Sequence, residues 1–239
     1  MNQNTQEKEK AFLHPQGALQ LHSIFPTIQG EGPFAGCPAI FVRLAGCNLQ
    51  CPFCDTDYTS KRQTLTAMEL TARVQDLRPI RRAGPWSARK PLVVITGGEP
   101  FRQNLTGFAT LLIGLGYQVQ IETNGTLFLE GFPYGQTTIV CSPKTGRINP
   151  DMAKRVNAFK YVVEAGQIDT DGLPLSTLGN VQQFSVAKPP VGSFAEIYVQ
   201  PLDEQDETRN RLNTQAALES CLKFGYRLCI QTHKLVNVP

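Results

Sequence analysis

Three cysteines that lie close together are the residues of this chain best suited to chemistry. Cys47, Cys51 and Cys54 are spaced C-x3-C-x2-C, and Gly46 and Pro52 beside them help the chain to fold back on itself. Soft thiolates on so short a tether suit an iron-sulfur cluster. Because three ligands for four irons leave one iron open to bind a substrate group, the spacing indicates chemistry rather than storage.

A zinc site and a simple packing role remain alternatives for the three cysteines. A structural zinc site needs four closed ligands, and the loop itself supplies no fourth Cys or His, although His22 or Cys37 could fold over it. Three unrelated buried cysteines would need no ligand at all. The remaining cysteines stand singly in apolar or strand-edge surroundings, which favours packing roles; they are Cys37, Cys141, Cys221 and Cys229.

The segments that must position the cysteine loop alternate between short apolar runs and helical patterns. Such alternation implies a largely parallel sheet with helices packed on it. The strand candidates are residues 40–44, 92–95, 118–122, 138–141, 159–163, 196–199 and 227–230.

Four helices are predicted between these strands. The first begins with a capping box formed by Thr66 and Glu69 and continues through Leu70, Val74 and Leu77 at helical spacing. The second covers residues 105–115 and stops near Gly116, a short one begins with Asn149 as N-cap and Pro150 at its first position, and the last runs through Leu212, Ala216 and Leu222 to Gly225.

The unusual residues of the chain all follow strand candidates. In parallel α/β sheets and barrels, the loops that leave the carboxyl ends of the strands converge on one mouth, where ligands bind. The sequence therefore predicts one site built by residues 47–54, 96–100, 123–126, 142–144, 200–203 and 231–234.

Composition narrows the class of protein. A chain of 239 residues fits one domain, and the polar, aperiodic residues 1–18 are predicted to be a flexible N-terminal extension before a domain over residues 19–239. The net charge of +3 is too small and dispersed for a nucleic-acid footprint. No apolar run approaches the roughly 20 residues that span a membrane, and the N-terminus lacks a secretory signal. We therefore expect a cytoplasmic protein whose cysteines serve thiolate chemistry.

Two motifs together resemble the radical S-adenosylmethionine (SAM) superfamily. One is the C-x3-C-x2-C loop after the first strand, with Phe53 before the third cysteine, and the other is Thr-Gly-Gly-Glu-Pro at residues 96–100. The resemblance implies a 4Fe-4S cluster on the three cysteines, with SAM bound to the open iron and gripped by Gly98 and Glu99. Cleavage of SAM would then yield a 5′-deoxyadenosyl radical that abstracts a hydrogen atom, while the protein positions the reactants and excludes water.

A closer resemblance, over about residues 21–239, is to the 7-carboxy-7-deazaguanine synthase family. It rests on residues 23–32, 41–49, 54–58, 122–126, 142–144, 200–203 and 231–234. This resemblance implies a partial, open TIM-like α/β barrel of the radical SAM type. It also implies ring contraction of 6-carboxy-5,6,7,8-tetrahydropterin to 7-carboxy-7-deazaguanine with loss of ammonia, on the route to queuosine and other deazapurines. A bound Mg²⁺, a homodimer and an electron donor such as flavodoxin or ferredoxin are implied as well.

The same resemblance carries roles to individual residues. Substrate contacts fall on Ile28, Gln29, Gly30, Arg43, Thr96 and the carboxylate of Pro239, and the magnesium contact falls on Thr56. SAM contacts fall on Gly98, Glu99, Asn124, Ser142, Pro143, Lys144, Gln200, Pro201, Leu202 and Asp203. Arg43 suits a bidentate pair with the substrate carboxylate, although a buried structural ion pair is its alternative role. Glu122 and His233, near strand ends, are candidates for the proton transfers.

Two competing functions and two departures from the family pattern stand beside this interpretation. A glycyl-radical activating enzyme would share the cysteines but needs a groove for a protein loop. A non-catalytic iron-sulfur or zinc module would leave the loops at Gly98, Ser142 and Gln200 unexplained. Residues 79–90 look like a loop insertion, and Phe101 stands where the family more often has an aliphatic residue.

Overall fold

The computed structural model describes residues 4–52, 54, 56–77, 90–176 and 185–238. Within these ranges one sheet has nine strands in the order β3-β1-β2-β4-β5-β6-β7-β8-β9. The strands are β1 (Leu19–Ile28), β2 (Pro38–Leu44), β3 (Gln63–Leu65), β4 (Leu92–Gly97), β5 (Val119–Thr123), β6 (Thr138–Cys141), β7 (Ala158–Val163), β8 (Glu196–Pro201) and β9 (Arg227–Leu228).

The sheet is parallel from β2 to β9, and β1 pairs antiparallel with both β2 and β3 at one edge. The paired order begins with β3 and ends with β9, so the sheet curls into a barrel wall without closing. This architecture confirms the predicted partial, open TIM-like barrel. Residues 79–89 of the predicted insertion (residues 79–90), together with Phe53 and Pro239, lie outside the described residues.

Along the strands, side chains that pack in the core alternate with side chains that line the cavity. Ile40, Val42 and Leu44 of β2 are fully buried in the layer that contacts the helices, and Arg43 between them lines a cavity. In β5, Ile121 belongs to the same core, whereas Glu122 lines the cavity. Because successive side chains of a strand point to opposite faces, the parallel strands bring their polar positions to one concave surface.

The helices follow the predicted signals closely. In α1 (Ala67–Asp76) the capping box is confirmed, since Thr66 Oγ1 accepts the N–H of Glu69 at 3.2 Å and the Glu69 carboxylate accepts the N–H of Thr66 at 2.8 Å. Asn149 caps the short α3 with its side-chain oxygen, and Gly225 ends α4 with a left-handed φ of 75°. The remaining helices, with their bounds, are α2 (Thr106–Gly114), α3 (Pro150–Ala153), α4 (Glu207–Phe224) and α5 (Thr232–Leu235).

Several elements differ from the predictions. Strands β1 and β3 and helix α5 were not predicted from the sequence, and β9 ends at Leu228. Helix α4 exposes the predicted apolar positions Leu212 and Leu222 and buries Asn213 and Cys221 instead, because small and polar side chains fit closely against the sheet. Among the described residues, no helix combines the length and apolar character that crossing a bilayer requires.

The N-terminal segment has a defined place in the fold. The sequence predicted a flexible extension outside the folded unit, but residues 4–12 lie along the cysteine loop and hydrogen-bond to its backbone. The composition could not reveal this position, since the bonding partners are main-chain groups some 40 to 90 residues away. Flexibility of the segment is untested and stays a prediction.

Candidate active site

A cavity of about 300 Å³ opens at the carboxyl edge of the parallel strands. The loops predicted to converge there do so, and the volume suits a small-molecule site. The predicted site residues that line the cavity are Ile28, Gln29, Arg43, Cys47, Cys51, Cys54, Thr56, Thr96, Gly98, Glu122, Asn124, Ser142, Lys144, Gln200 and His233.

The cysteine loop presents its three thiols to this cavity. Cys47 is 8% exposed, and its sulfur accepts the N–H of Leu49 at 3.4 Å, a contact that favours the charged form of the sulfur. Burial raises the pKa of Cys47 to about 12 against the influence of that N–H. Without a cation the thiol therefore stays protonated, whereas iron would displace the proton. These features fit an iron-sulfur cluster.

A mononuclear zinc site fits the same residues poorly. No three His, Cys, Asp or Glu side chains within the described ranges converge on one ion. A cluster binds its cysteines through different irons, so it does not require such convergence. The two residues considered as a fourth zinc ligand do not line the cavity: His22 contacts Asp57 and Ser60, and Cys37 is exposed at the start of β2.

The Thr-Gly-Gly-Glu-Pro segment lies directly against the cysteine loop. A side chain at Gly98 would place its Cβ 2.1 Å from the carbonyl oxygen of Gly46 and 2.8 Å from Cβ of Cys47. Gly97 adopts a φ of 134°, and its Cβ would lie 2.1 Å from the Leu44 carbonyl oxygen. Both positions require glycine, because a side chain at Gly98 would push the cysteine loop away and one at Gly97 would collide with the backbone of Leu44 at the end of β2.

Glu99 lies behind this segment and does not line the cavity. Its carboxylate is fully buried and accepts the N–H groups of Phe101 (3.0 Å) and Asn124 (2.8 Å) and the hydroxyl of Thr123 (2.8 Å). Burial raises its pKa to about 7, although these three donors oppose the shift. The carboxylate thus ties the end of β4 to the end of β5, and its predicted direct contact with SAM stays a prediction.

A ring of polar side chains joins the cysteine loop to the loop after β5. Asn124 Nδ2 donates to Asn48 Oδ1 at 3.0 Å, Asn48 Nδ2 donates to Thr126 Oγ1 at 2.8 Å, and that hydroxyl donates to Asn124 Oδ1 at 2.6 Å. Every member is satisfied by another, so the ring fixes both loops. Asn124, assigned to SAM, is oriented by this ring.

Arg43 is available for an anion in the cavity. Its guanidinium lies 5.7 Å from the ring centroid of Phe25, and its buried Nε has no hydrogen-bond partner among the described residues. The alternative role, a buried structural ion pair, is not found within the described ranges. A half-buried guanidinium that lines the cavity and has no such partner among the described residues is well suited to bind a carboxylate that enters from the cavity.

Glu122 is held by three donors on the concave face. Gln29 Nε2 and Gln120 Nε2 each donate to its Oε1 at 3.0 Å, and the Thr96 hydroxyl donates to Oε2 at 3.3 Å. Gln29 is 1% exposed, so its amide is fixed as well. Glu122 therefore orients two residues that were assigned to the substrate, Gln29 and Thr96, besides being a candidate for proton transfer.

A buried ion pair lies deeper in the same cavity. Glu31 pairs with Lys160, and its other oxygen accepts the Gln231 side chain at 2.6 Å. Burial alone would raise the pKa of Glu31, but the Lys160 charge and these bonds lower it to about 2. Lys160 was not among the residues predicted from the sequence. A lysine inside the apolar strand β7 is the signal that could have found it.

Replacing Glu31 is expected to destabilise the fold. Glu31→Gln removes the carboxylate that is paired with the buried Lys160 ammonium, and we expect a loss of about 3 kcal/mol in the free energy of unfolding at neutral pH. The carboxyl has a lower pKa when folded than its ordinary 4.5, so its contribution is present above about pH 4.5 and is lost as the pH falls towards 2. Denaturant unfolding at several pH values measures the difference.

The matched control is Glu196→Gln, which removes a carboxylate paired with Arg227 at the surface. Both partners of that pair are more than half exposed, so the change is expected to cost less than about 1 kcal/mol. Equal losses from the two substitutions, or a loss from Glu31→Gln that persists at pH 2.5, would contradict the assigned role of the buried pair.

The C-terminal segment approaches the first substrate loop. A Cβ on Gly30 would lie 1.9 Å from His233 Nδ1, and the Gly30 carbonyl accepts the backbone N–H and the hydroxyl of Thr232. Gly30 therefore packs behind His233 and does not line the cavity. The predicted strand-end position of His233 is wrong: it lies on α5, a short helix that follows β9.

Of the remaining residues assigned to SAM, some line the cavity and the others do not. Ser142 and Lys144 line the cavity, with Lys144 Nζ donating to Ser142 Oγ at 2.9 Å, while Pro143 between them is buried. Gln200 lines it too, whereas Pro201, Leu202 and Asp203 do not. The Asp203 carboxylate accepts a hydrogen bond from Lys234 Nζ at 2.6 Å. This bond, together with one from the backbone N–H of Gln205, lowers the pKa of Asp203 to about 2.

Comparison with known proteins gives consistent results. The chain is 42% identical over 229 residues to the 7-carboxy-7-deazaguanine synthase of Rhodospirillum rubrum, covering 92% of this chain and 93% of the relative. Enzymes of the same name from Rickettsia prowazekii and Escherichia coli K12 are 35% and 32% identical, with at least 91% of either chain covered. The crystal structure of QueE from Escherichia coli matches with a TM-score of 0.63 at 25% identity, over 90% of this chain and 94% of that one. A scan against protein-family models finds no match.

Proposed function

The chain belongs to the 7-carboxy-7-deazaguanine synthase family, and from this premise we propose that it contracts 6-carboxy-5,6,7,8-tetrahydropterin to 7-carboxy-7-deazaguanine as a radical SAM lyase. The reaction releases one ammonia and involves no net oxidation. The observation that carries the proposal is the meeting in one cavity of three cysteines, the Gly-Gly segment and Arg43, whose Nε has no hydrogen-bond partner among the described residues.

Residues of three loops would hold the cofactors. Cys47, Cys51 and Cys54 would hold a 4Fe-4S cluster, and the loops that carry Gly98 and Ser142, which line the same cavity, would hold SAM. When bound, these cofactors supply the 5′-deoxyadenosyl radical that removes a hydrogen atom from C6 of the substrate. The close packing of Gly98 on Gly46 supports this assignment, because it brings the two loops together without an intervening side chain.

The substrate is oriented by the opposite side of the cavity. Arg43 pairs with the substrate carboxylate, and Gln29 and Thr96, both fixed by Glu122, meet the edge of the pterin with hydrogen-bonding groups. The network around Glu122 holds these groups before the substrate arrives, so little conformational freedom is lost on binding. Ile28 contributes apolar surface to the same wall.

Glu122 and His233 handle the protons that move as the ring contracts and ammonia leaves. Both line the cavity, and both are half-buried. A carboxylate and an imidazole can each accept a proton and return it, which is what the loss of an amine requires. Thr56 lines the same cavity, and its oxygen would be the protein's contact to Mg²⁺, an ion that usually keeps waters and borrows substrate oxygens.

The cellular setting follows from the same assignment. The cluster needs reduced thiolates and one electron at a time, so we place the protein in the cytoplasm with flavodoxin or ferredoxin as donor. A homodimer is proposed from the family resemblance, and the leucines that α4 exposes, Leu212 and Leu222, are candidates for its surface. The product then enters the pathway to queuosine or a related deazapurine.

An anaerobic assay tests the function itself. Reconstituted protein with SAM, reductant, Mg²⁺ and 6-carboxytetrahydropterin should form 5′-deoxyadenosine and 7-carboxy-7-deazaguanine, both followed by mass spectrometry. Formation of deoxyadenosine without the deazapurine would contradict the assigned substrate and favour a glycyl-radical activating enzyme. A protein that holds a cluster but cleaves no SAM would favour a non-catalytic binding module.

A further inference from the structure

The N-terminal segment, residues 4–12, contacts the loop that carries the cysteines at several backbone positions. Asn4 donates its N–H to the Pro52 carbonyl at 2.9 Å and its side-chain amide to the Cys51 carbonyl at 3.0 Å. Glu9 donates its N–H to the Cys47 carbonyl at 2.7 Å. Two of the three cysteines thus have their main-chain oxygens bound by this segment.

Gln6 spans the last part of the cysteine loop. Its Nε2 donates to the Thr56 carbonyl at 2.9 Å, and its Oε1 accepts the N–H of Tyr58 at 2.8 Å. Tyr58 is 1% exposed, and its carbonyl accepts the N–H of Gly46 from the start of the loop. Gln6 therefore holds the end of the cysteine loop, and Tyr58 at that end bonds the start of the loop at Gly46.

A buried arginine attaches the far end of the segment. Arg102 is 2% exposed, donates to the Lys10 carbonyl and to the Ala45 carbonyl at 2.8 Å each, and pairs with Glu9 at 3.4 Å. Its guanidinium fills the space beside Gly46, where a Cβ would lie 2.3 Å from Nη2. The segment is therefore tied to the chain immediately before Cys47.

Resting on the proposed function, we propose that residues 4–12 form an N-terminal strap that holds the cysteine loop in its cluster-binding conformation, with Gln6 as a positioning residue. The loop forms neither helix nor strand, so its carbonyl groups need partners from elsewhere. The strap supplies hydrogen-bond donors to these carbonyl groups. The N–H groups of the loop can then point towards the cysteine sulfurs, as that of Leu49 does towards the sulfur of Cys47. A fixed loop also presents its thiols at one spacing before iron arrives.

The orientation of the strap's side chains agrees with this role. Asn4, Gln6 and Glu9 are half-buried against the loop, whereas Thr5 and Glu7 are exposed. A segment that merely covered the surface would not need polar side chains directed at main-chain groups of one loop. Glu7 therefore offers a control position on the same segment, next to Gln6.

Hydrogen exchange of the metal-free protein tests the strap directly. Gln6→Ala removes the acceptor of the Tyr58 N–H, and we expect that amide to exchange about tenfold faster than in the unmodified protein. Glu7→Ala should leave its exchange unchanged. The second readout is the decay of the cluster's visible absorbance in air, which should be about threefold or more faster in Gln6→Ala.

The results distinguish failure of the strap proposal from failure of the proposed function. Tyr58 exchange in Gln6→Ala equal to that in Glu7→Ala would overturn the proposal, and so would faster exchange with an unchanged cluster lifetime. Thermal unfolding of both variants near that of the unmodified protein excludes a general loss of the fold. A protein that keeps its cluster but forms no deazaguanine contradicts the proposed function alone, because neither readout involves the pterin.

Discussion

Cys51→Ala is expected to eliminate SAM cleavage, with turnover reduced by about 10³-fold or more, as for the loss of any group the chemistry requires. The cavity offers three thiols on one loop, and with two of them the irons lose a ligand that nothing nearby replaces among the described residues. The variant should lose iron, sulfide and the visible absorbance together, and should form no 5′-deoxyadenosine. Iron analysis and mass spectrometry measure these quantities on the same sample.

The matched control for this prediction is Cys37→Ala. Cys37 is exposed, lies outside the cavity and contributes only backbone groups to the loop that carries Gln29. Its replacement should leave iron content and turnover within about twofold of the original protein. Full iron content in Cys51→Ala, or an equal loss in Cys37→Ala, would contradict the assignment of the cluster to this loop.

Arg43→Ala is expected to raise the KM for the carboxypterin by about 10²- to 10³-fold. The guanidinium lines the cavity with its Nε unsatisfied among the described residues, so a substrate carboxylate would be its main counter-charge. Truncating one partner of a buried, hydrogen-bonded charge pair costs about 2–5 kcal/mol, and the middle of that interval, about 3–4 kcal/mol, corresponds to this range. Arg43→Lys keeps the charge but loses the bidentate geometry, so a rise of about tenfold is expected.

Two comparisons make the role of Arg43 specific. SAM cleavage without pterin should be unchanged in Arg43→Ala, because the residue is assigned to the substrate. Binding of a pterin without the carboxyl group should differ little between the variant and the original protein. Arg211→Ala, on the exposed face of α4, provides the control for loss of an arginine charge. Equal weakening of both pterins would show that Arg43 supports the cavity without pairing with the carboxylate.

The position of the site was predictable because it depends on local signals and one topological rule. The cysteine spacing, the Gly-Gly segment and the polar loops are each visible within a few residues of sequence. Parallel strands then bring their carboxyl ends to one edge, so Cys47, Gly98, Ser142 and Gln200 meet although more than 150 residues separate the first from the last.

The missed features depend on contacts between distant residues. Glu31 and Lys160 are 129 positions apart, and neither residue alone shows that the other neutralises it. Strand β1 escaped notice because it contains Pro26 and alternates only weakly between buried and exposed positions at the sheet's antiparallel edge. The N-terminal strap is polar and aperiodic, and the groups of the cysteine loop that it binds belong to the main chain, which any sequence possesses.

One tracer experiment tests most directly the central claim that this cavity directs a radical to C6 of the pterin. The reconstituted protein would receive 6-carboxytetrahydropterin carrying deuterium at C6, together with unlabelled SAM, reductant and Mg²⁺. We expect 5′-deoxyadenosine that carries one deuterium, formed alongside 7-carboxy-7-deazaguanine. Deoxyadenosine and recovered SAM that both lack deuterium, while the deazapurine forms from the deuterated substrate, would contradict the claim.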